Sequence, residues 1–394
     1  MTSPQTDTSL HADKQLIEFA AEWSTRLPDR SEEIEQARRL PVDIAQSFAD
    51  GGIFHALVPK EYGGGEVHPS TLVEVIKRIA TGDGAAGWNV MIGATTGLLS
   101  ASLSEKYARE IYGAGPGMLS VGVTAPMGKA TPVEGGYLVT GRWPFGSGCQ
   151  NAAWISGGSF VFDGDQRRLG KGNAPEIHLM MFEKNQVEIE DTWHVSGLRG
   201  TGSQHFNVKE QFVPEGRSVV LGGKPGFSRS LYQFPMLGLL ALGVSAVSLG
   251  IGYKALRAFK ELANAKVPTG STRELGQRAQ IQSMLAESKA DLESSEAYVH
   301  AMIDRAWLQA VAGERLATET KASLRLAAVN ATQRSMAAVD RLYQAGGGSA
   351  IYESSELQRC FRDVHVTTQH IMVGLPIYEV VGRVELGLEA GSLL

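Results

Sequence analysis

The chain has 394 residues, of which 43% are hydrophobic, and its formal net charge is −5 at pH 7. The charge is spread without a basic stripe or a run of five like charges, which excludes electrostatic binding to nucleic acid or to an anionic membrane. The two cysteines, Cys149 and Cys360, exclude a disulfide framework, and the polar start lacks the apolar segment of a signal peptide. We therefore expect a cytoplasmic protein of two or three packed units that acts on small molecules.

The first part of the chain, residues 11 to about 115, has the apolar spacing of amphipathic helices. Paired glycines and Pro69 separate the predicted helices from one another. We predict helices near residues 12–25, 32–50, 69–80 and 84–113.

From Met118 to Val213 apolar and polar residues alternate, in strings such as GGYLVTGRW and HFNVKEQFV. Alternation is typical of strands, and clusters of glycine, proline and aspartate separate the strings. We therefore predict an all-β unit of about 100 residues. The polar, glycine-rich string FDGDQRRLGKGNAPE inside it is predicted to be a solvated hairpin connection.

Helical periodicity returns near Ser228 and continues to about Val373. Its first stretch, Leu231 to Tyr253, carries no charged residue over 23 positions, which is long enough to span a bilayer. No second apolar run and no flanking basic cluster accompany it, and the amphipathic string KALRAFKELANAK follows directly. We interpret it as a helix buried within a bundle, with a membrane span as the alternative.

The last helical stretch, Glu353 to Val373, contains neither glycine nor proline and is predicted to be one helix. Positions three, four and seven apart share one side of a helix, so Phe361 can face a core while Thr367 and His370 face a cavity. A single histidine on such a helix is more often structural than catalytic. Both interpretations are open at this point.

Several strings occur in the order that one enzyme superfamily shows. They are VTAP at 123–126, GRWPFGSG at 141–148, DTWHVSGLRGTGS at 191–203, and QAGGG at 344–348 followed by FRD at 361–363. With the helix–strand–helix order, they make the chain resemble the acyl-CoA dehydrogenase superfamily over nearly its whole length. The resemblance implies an α+β multidomain fold: an N-terminal helical domain (residues 1–117), a central β-barrel or β-sandwich domain (118–227) and a C-terminal helical bundle (228–394).

The resemblance also implies a flavin cofactor between the β domain and the C-terminal bundle. Thr124 would hydrogen-bond the pyrimidine edge of the flavin ring, Trp143 would pack near the ring, and Ser147 would lie near its reactive nitrogen. The family site for the ADP half of FAD, which lies across a subunit interface, corresponds here to Gln344, Gly346 and Gly347. Both FAD and FMN are open at this point.

The dehydrogenases of this superfamily use a glutamate as base, about two helical turns after the Arg-Asp pair of the last helix. In this chain that position falls on His370 and Ile371, and no carboxylate is available. A histidine there resembles the flavin-dependent monooxygenase branch, whose substrates include phenols and indole. In that branch a separate NAD(P)H flavin reductase supplies reduced flavin, which reacts with molecular oxygen to give the hydroperoxide that hydroxylates the substrate. Near pH 7 imidazole can accept a proton and imidazolium can donate one, so His370 suits this chemistry.

The string DGAAGW at 83–88 resembles a motif found in several members of that branch. Those members carry a histidine on the following helix, where this chain has Thr95 and Thr96. The resemblance implies that Trp88 and Thr95 line a substrate pocket, together with Thr367 from the last helix. The alternative is a packing helix of small residues with no role in binding.

We therefore expect the oxygenase component of a two-component flavin-dependent monooxygenase, a homotetramer by resemblance, which hydroxylates a small aromatic or heteroaromatic compound. His370 and Ser147 are its expected catalytic residues. The alternatives are an acyl-CoA dehydrogenase or flavin oxidase with an unusual base, and a flavin-free member that only binds a ligand. We expect no metal site, because His365 and His370 would lie about 140° apart around a helix.

Overall fold

The structure is a computed structural model that describes residues 8–113, 115, 119–170, 173–392 and 394. Its N-terminal part is helical, as the apolar spacing predicts. The helices are α1 (Thr8–Arg26), α2 (Ser31–Ala37), α3 (Val42–Asp50), α4 (Pro69–Gly82), α5 (Gly84–Thr96) and α6 (Glu105–Tyr112).

Two helices that the sequence predicts as continuous are each interrupted. The predicted helix 32–50 breaks between α2 and α3, where Arg38 adopts a left-handed φ of 51°. Pro41 then precedes α3, because proline has no N–H to continue a helix but suits a helix start. The predicted helix 84–113 ends as an α-helix at Thr96, tightens into a 3-10 turn, and resumes as α6.

The described strands form one sheet, which confirms the predicted β unit. The strands are β1 (Ser120–Val133), β2 (Gly136–Gly146), β3 (Trp154–Asp163), β4 (Gln166–Arg167), β5 (Ile177–Glu183), β6 (Glu188–Glu190), β7 (Gln204–Pro214) and β8 (Ser218–Val220). Their order is β6-β7-β2-β1-β3-β5-β8, and β4 pairs with β3. Only the β1–β3 pair is parallel among these. The exposed β3–β4 hairpin confirms the predicted connection, although residues 171–172 of that string lie outside the described residues.

The C-terminal part is a helical bundle around one long apolar helix. Its helices are α7 (Ser230–Gln233), α8 (Met236–Ala265), α9 (Ala279–Val311), α10 (Thr318–Gly346), α11 (Glu356–Thr367) and α12 (Pro376–Glu385). Among the described residues, α8 alone is long and apolar enough to cross a membrane, and 78% of its most apolar window is buried inside the protein. The structure therefore confirms the prediction of a buried helix.

One continuous hydrophobic core joins the three parts of the chain. It contains Trp23 and Ile79 from the N-terminal helices, Phe206 from the sheet and Leu249 from α8. The predicted domain limit at 117–118 lies outside the described residues, and the limit at 227–228 falls between β8 and α7. Both limits stay predictions.

Candidate active site

A cavity of about 430 Å³ lies where α5, the sheet, the start of α8 and the segment after α11 meet. Trp88, Ile92, Thr95 and Thr96 face it along α5, at the spacing of one helix face. The prediction that this helix walls a pocket therefore agrees with the structure. None of the described residues that line the cavity carries a carboxylate, an ammonium or a guanidinium group.

Two β-bulges aim the strings VTAP and GRWPFGSG at this cavity. The register between β1 and β3 shifts after Val123, and the register between β2 and β7 shifts after Trp143. A bulge releases residues from the ladder and bends the strand, so Thr124 and Phe145 reach the cavity wall. Phe145 has a φ of 66°, a left-handed conformation that is rare for bulky residues and is concentrated at functional sites.

His370 lies in the turn that follows α11, and not on the helix as the sequence predicts. The backbone N–H of His370 donates to the Thr367 carbonyl at 3.2 Å, just beyond the helix end. The imidazole lines the cavity and stands edge-on to the Trp88 ring, with 5.5 Å between the centroids. The Met372 N–H donates to Nδ1 at 3.3 Å, so the hydrogen of the neutral imidazole is on Nε2. No described residue bonds Nε2, and this N–H is available to a ligand in the cavity.

The helix ends early because two successive threonines compete for its carbonyls. The hydroxyls of Thr367 and Thr368 donate to the carbonyls of Val364 and His365, each at 2.7 Å. Such bonds offer the backbone an alternative to the helical ladder. Thr367 is also fully buried and accepts a hydrogen bond from Ser248 of α8 at 2.8 Å. Its side chain points into the bundle, so the predicted substrate role for Thr367 is wrong.

The surroundings of His370 keep its imidazole neutral. Burial first, and then the positive charge of Arg325 on α10, lower the pKa of His370 to about 4. Arg325 is itself buried and donates to the Met372 carbonyl at 3.3 Å, so it braces the same turn. Near pH 7 the group that faces the cavity is therefore a neutral N–H donor.

A chain of hydrogen bonds leads from Trp88 through three hydroxyls. The Trp88 Nε1–H donates to Ser147 Oγ at 3.0 Å. The Ser203 hydroxyl lies 2.7 Å from that of Ser147 and 2.7 Å from that of Thr201. Thr201 donates to the Leu198 carbonyl at 2.8 Å. Each hydroxyl has one hydrogen, so Ser203 then donates to Thr201, and Ser147 donates to Ser203. Ser147 keeps an acceptor lone pair for a ligand in the cavity.

The loop that carries these hydroxyls, residues 191–203, is anchored to α11. The Leu198 N–H donates to the Asp363 carboxylate at 2.6 Å, and burial raises the pKa of Asp363 to about 7. The Arg362 guanidinium donates to the Ser196 carbonyl at 2.5 Å. The strings FRD and DTWHVSGLRGTGS, which carry the family resemblance, therefore contact each other directly.

Trp143 lies in the core of the sheet and not at the cavity. Its side chain is fully buried, and its Nε1–H donates to the Gly158 carbonyl at 2.7 Å. Its ring stacks on Phe206, with 5.1 Å between the centroids. The bulge after Trp143 gives the cavity Pro144 and Phe145 instead. The prediction that Trp143 packs against the flavin ring is therefore wrong.

The residues predicted to hold the ADP half of FAD lie at the end of α10, outside the cavity. Gln344 is exposed there, and the Gly346 carbonyl accepts from Lys266 Nζ at 2.8 Å. Gly347 has a φ of 55°, which ends the helix. None of these three residues lines the cavity, and their role in binding the ADP half of FAD stays a prediction.

Several residues that line the cavity carry no sequence pattern that marks them as part of a site. Met236 and Leu240 come from the start of α8 and Leu179 comes from β5, while Thr201 and Ser203 come from the anchored loop. A leucine that walls a cavity and a leucine in a packed core have the same hydropathy. In the string DTWHVSGLRGTGS, only the hydroxyl-bearing residues indicate a polar site, and Thr201 and Ser203 are among them.

The mouth of the cavity fits the flat ring of a flavin. Met127, Phe145 and Ile371 line the cavity although 57%, 63% and 77% of these residues is exposed. Large exposed apolar side chains at a concave surface mark a ligand site. Reduced flavin carries an N–H at its reactive nitrogen, which suits the acceptor lone pair of Ser147. The Thr124 hydroxyl has no partner in the described chain and can bond the polar edge of the ring.

Comparison with protein families agrees with this geometry. The family model "Acyl-CoA dehydrogenase, N-terminal domain" matches residues 12–110, and "Acyl-CoA dehydrogenase, C-terminal domain" matches residues 242–374. The two matches bracket the sheet, as the helix–strand–helix order predicts. The chain belongs to the acyl-CoA dehydrogenase family.

Two curated relatives show to which branch of the family the chain belongs. The indole-3-acetate monooxygenase of Pseudomonas putida is 32% identical over 355 residues, which cover 90% of this chain and 89% of that protein. The flavin-dependent monooxygenase oxygenase subunit HsaA of Mycobacterium tuberculosis is 30% identical over 377 residues, covering 93% and 94%. Within its family, the chain is therefore a flavin-dependent monooxygenase that uses reduced flavin.

Solved structures agree with this assignment. The HsaA monooxygenase from M. tuberculosis superposes with a TM-score of 0.87 at 28% identity, covering 96% of this chain and 99% of that chain. XiaF from Streptomyces sp., solved in complex with FADH2 and glycerol, shares the fold with a TM-score of 0.89 at 24% identity, covering 98% of both chains.

Proposed function

We propose that this monooxygenase is the oxygenase component of a two-component system and that it hydroxylates a small aromatic or heteroaromatic compound. The observation that supports this most is the neutral His370 N–H, which faces an apolar cavity beside Trp88 and Ser147. The name of the M. tuberculosis relative, an oxygenase subunit, supports a separate NAD(P)H-dependent reductase as the source of reduced flavin.

His370 donates a hydrogen bond from Nε2 to an oxygen, or to an unprotonated ring nitrogen, at the reacting end of the substrate. A phenol that binds as its phenolate, with its proton lost to water, accepts this bond at its oxygen, and the bond stabilises the negative charge, since hydrogen bonding favours the charged form. The negative charge raises the electron density at the ring carbon that receives the oxygen atom. Bound reduced flavin supplies the activation of molecular oxygen.

Ser147 and Thr124 hold the cofactor from the sheet side. Ser147 accepts a hydrogen bond from the ring N–H of reduced flavin, and the Trp88 indole fixes the Ser147 hydroxyl in place. The surrounding apolar side chains keep water from the reacting atoms, which strengthens each hydrogen bond and limits side reactions.

The dehydrogenase alternative lacks a base in this cavity. That reaction removes a proton from the carbon next to a thioester, which requires a carboxylate or a comparable group. No acidic residue lines the cavity in the described chain. The absence of a carboxylate beside His370 supports oxygen transfer instead.

We also infer that the enzyme is a homotetramer in the bacterial cytosol. Leu375, Tyr378 and Leu386 near the end of the chain are 62%, 40% and 78% exposed, which supports a subunit interface there. Light scattering on the purified protein tests the subunit number.

The test of the proposed function is oxygen-isotope incorporation. The enzyme is supplied with chemically reduced FMN or FAD, ¹⁸O₂ and a panel of phenols, naphthols and indoles, without any reductase. We expect mass spectrometry to find one labelled oxygen atom in a hydroxylated product. Reduction of the bound flavin by an acyl-CoA without oxygen, and no labelled product, would favour the dehydrogenase instead.

A further inference from the structure

The cavity extends well beyond the His370 end. Trp88, which contacts His370, and Thr96 lie on the same face of α5, about 12 Å apart along the helix axis. Ser156 of β3 lines the same cavity from the sheet. We call the region around Thr96 and Ser156 the distal end.

Thr96 and Ser156 belong to neighbouring parts of the cavity wall. The Tyr112 hydroxyl bonds both the Thr96 carbonyl, at 3.3 Å, and the Ser120 hydroxyl, at 3.0 Å. Ser120 pairs with Trp154 across the β1–β3 ladder, two residues before Ser156. The start of β1 therefore links the end of α5 to this part of β3.

The hydroxyls at the distal end have no partners in the described chain. Thr96 is 9% exposed and Ser156 is 2% exposed, yet neither hydroxyl makes a hydrogen bond to a described residue. By contrast, the neighbouring Thr95 hydroxyl donates to the Met91 carbonyl at 2.7 Å. Buried hydroxyls are ordinarily bonded, so these two are suited to a polar group of a ligand.

The charge of the cavity limits what that ligand can be. No described lining residue is cationic, and Arg325, whose charge acts on His370, does not line the cavity. A carboxylate that leaves water for such a site loses its hydration without gaining a counter-ion. A neutral hydroxyl can exchange hydrogen bonds with water for hydrogen bonds with Thr96 and Ser156 at little cost.

We propose that the distal end is a specificity subsite in which Thr96 and Ser156 bind a neutral polar group of the substrate, so that the enzyme takes uncharged fused-ring aromatic compounds and rejects their carboxylates. The proposal rests on the proposed function, in which the reacting carbon lies at the His370 end. Indole-3-acetate, the compound for which the P. putida relative is named, would then be a poor substrate of this enzyme.

Three naphthalenes that differ only at one position test this subsite. They are 2-naphthol, 2,6-dihydroxynaphthalene and 6-hydroxy-2-naphthoate, and equilibrium dialysis against the enzyme with bound oxidised flavin gives their dissociation constants. Since one hydrogen bond changes affinity by about two- to tenfold, we expect the diol to bind about tenfold more tightly than 2-naphthol. We expect the naphthoate to bind more weakly than 2-naphthol. Binding of the naphthoate as tight as that of the diol would overturn the proposal.

Variants assign the effect to the two hydroxyls. In the double variant Thr96→Val with Ser156→Ala, the diol and 2-naphthol should bind equally, while Thr96→Ser, which keeps the hydroxyl, should retain the preference for the diol. Circular dichroism checks the fold, and the single variants replace the double variant if it does not fold. A diol preference that survives removal of both hydroxyls would contradict the subsite.

Hydroxylation of the same compounds separates this proposal from the proposed function. Ligand discrimination without any labelled product would support the subsite and contradict the oxygenase function. Labelled product formed from the naphthoate as fast as from the diol would overturn the subsite and leave the oxygenase function in place.

Discussion

The protonation of His370 ties the stability of the protein to pH. An unfolded histidine has a pKa near 6.5, whereas burial and Arg325 lower the pKa of His370 to about 4 in the folded protein. Between these values the unfolded chain binds more protons at this site than the folded chain does. The free energy of unfolding is therefore at its full value above about pH 6.5 and is lost as the pH falls toward 4.

Replacing His370 by glutamine removes this pH dependence. We expect the wild-type protein to lose more unfolding free energy between pH 7 and pH 5 than His370→Gln, by at most about 1.4 kcal/mol per pH unit. Urea unfolding of both proteins at the two pH values measures the difference, and other titrating groups cancel because both proteins share them. An equal loss in both proteins would mean that the pKa of His370 is not lowered in the folded protein.

In the proposed function, Ser147 links the hydroxyl chain to the flavin ring. Ser147→Ala removes the acceptor for the flavin and leaves the Trp88 N–H without a partner. We expect about two- to tenfold weaker binding of reduced flavin, in line with one hydrogen bond. Anaerobic titration with FMN and FAD measures this, and unchanged affinity for both would remove Ser147 from the flavin site.

At the scale of elements, the contact between the loop 191–203 and α11 holds one wall of the cavity. The two elements approach so closely at Gly197 that a Cβ there would lie 2.3 Å from the Arg362 carbonyl oxygen. This closeness lets the Leu198 N–H reach Asp363. Glycine is required here because it has no side chain to clash with α11, and not because it gives the backbone more freedom.

A methyl group at Gly197 should force the loop away from α11. We expect Gly197→Ala to lower the free energy of unfolding by about 1–3 kcal/mol, as overpacking does, and to weaken flavin binding. The matched control is Gly382→Ala in α12, where a Cβ would meet nothing within 4 Å. Since alanine favours helices, the control should stabilise by about 0.5–1 kcal/mol. Chemical unfolding that gives both variants the same stability would contradict the close approach.

The elements also show which local features the sequence could predict. Helices, strands and the buried α8 followed from apolar spacing, because each of these elements buries one repeating face. The end of α11 could not be predicted from apolar spacing, because neither glycine nor proline marks it. The hydrogen bonds from the threonine hydroxyls to the carbonyls of Val364 and His365 form only in the folded chain. Trp143 was misplaced for a related reason. The alternation of apolar and polar residues shows which strand residues share a face of the sheet, but it does not show which face borders the cavity.

At the scale of the whole molecule, α8 is apolar because protein surrounds it on several sides. It packs against α4 and α5 from the N-terminal part and against α10 and α11 of its own bundle. Gly250 lies so near α4 that a Cβ would be 2.5 Å from the Ala80 Cβ. Small residues and a lack of charge thus serve helix packing here, although the same composition suits a bilayer.

The burial of α8 determines in which cell fraction the expressed protein is found. We expect the protein in the supernatant after high-speed centrifugation of a lysate without detergent, since the apolar surface of α8 is covered. Immunoblotting of the supernatant and membrane fractions checks this. Recovery from the membrane fraction alone would show that the helix spans a bilayer after all.

The candidate site as a whole was predicted in part. Trp88, Thr95, Thr124, Ser147 and His370 come from distant parts of the chain, and the structure brings them all to one cavity. Family strings carried that prediction, because no periodicity in the sequence links these positions. The anchored loop, the hydroxyl chain and the distal end depend on contacts between elements, which sequence patterns do not specify.

The yield of hydroxylated product per oxygen consumed, compared between the wild-type enzyme and His370→Ala, tests the central claim most directly. Losing one positioned donor typically costs about 10²–10³ in rate. We therefore expect His370→Ala to bind flavin and consume oxygen, but to release hydrogen peroxide and form product at least about a hundredfold more slowly. His365→Ala is the control, because His365 bonds Asp340 at 2.9 Å outside the cavity, and its yield should match the wild type. Normal hydroxylation by His370→Ala would contradict the account.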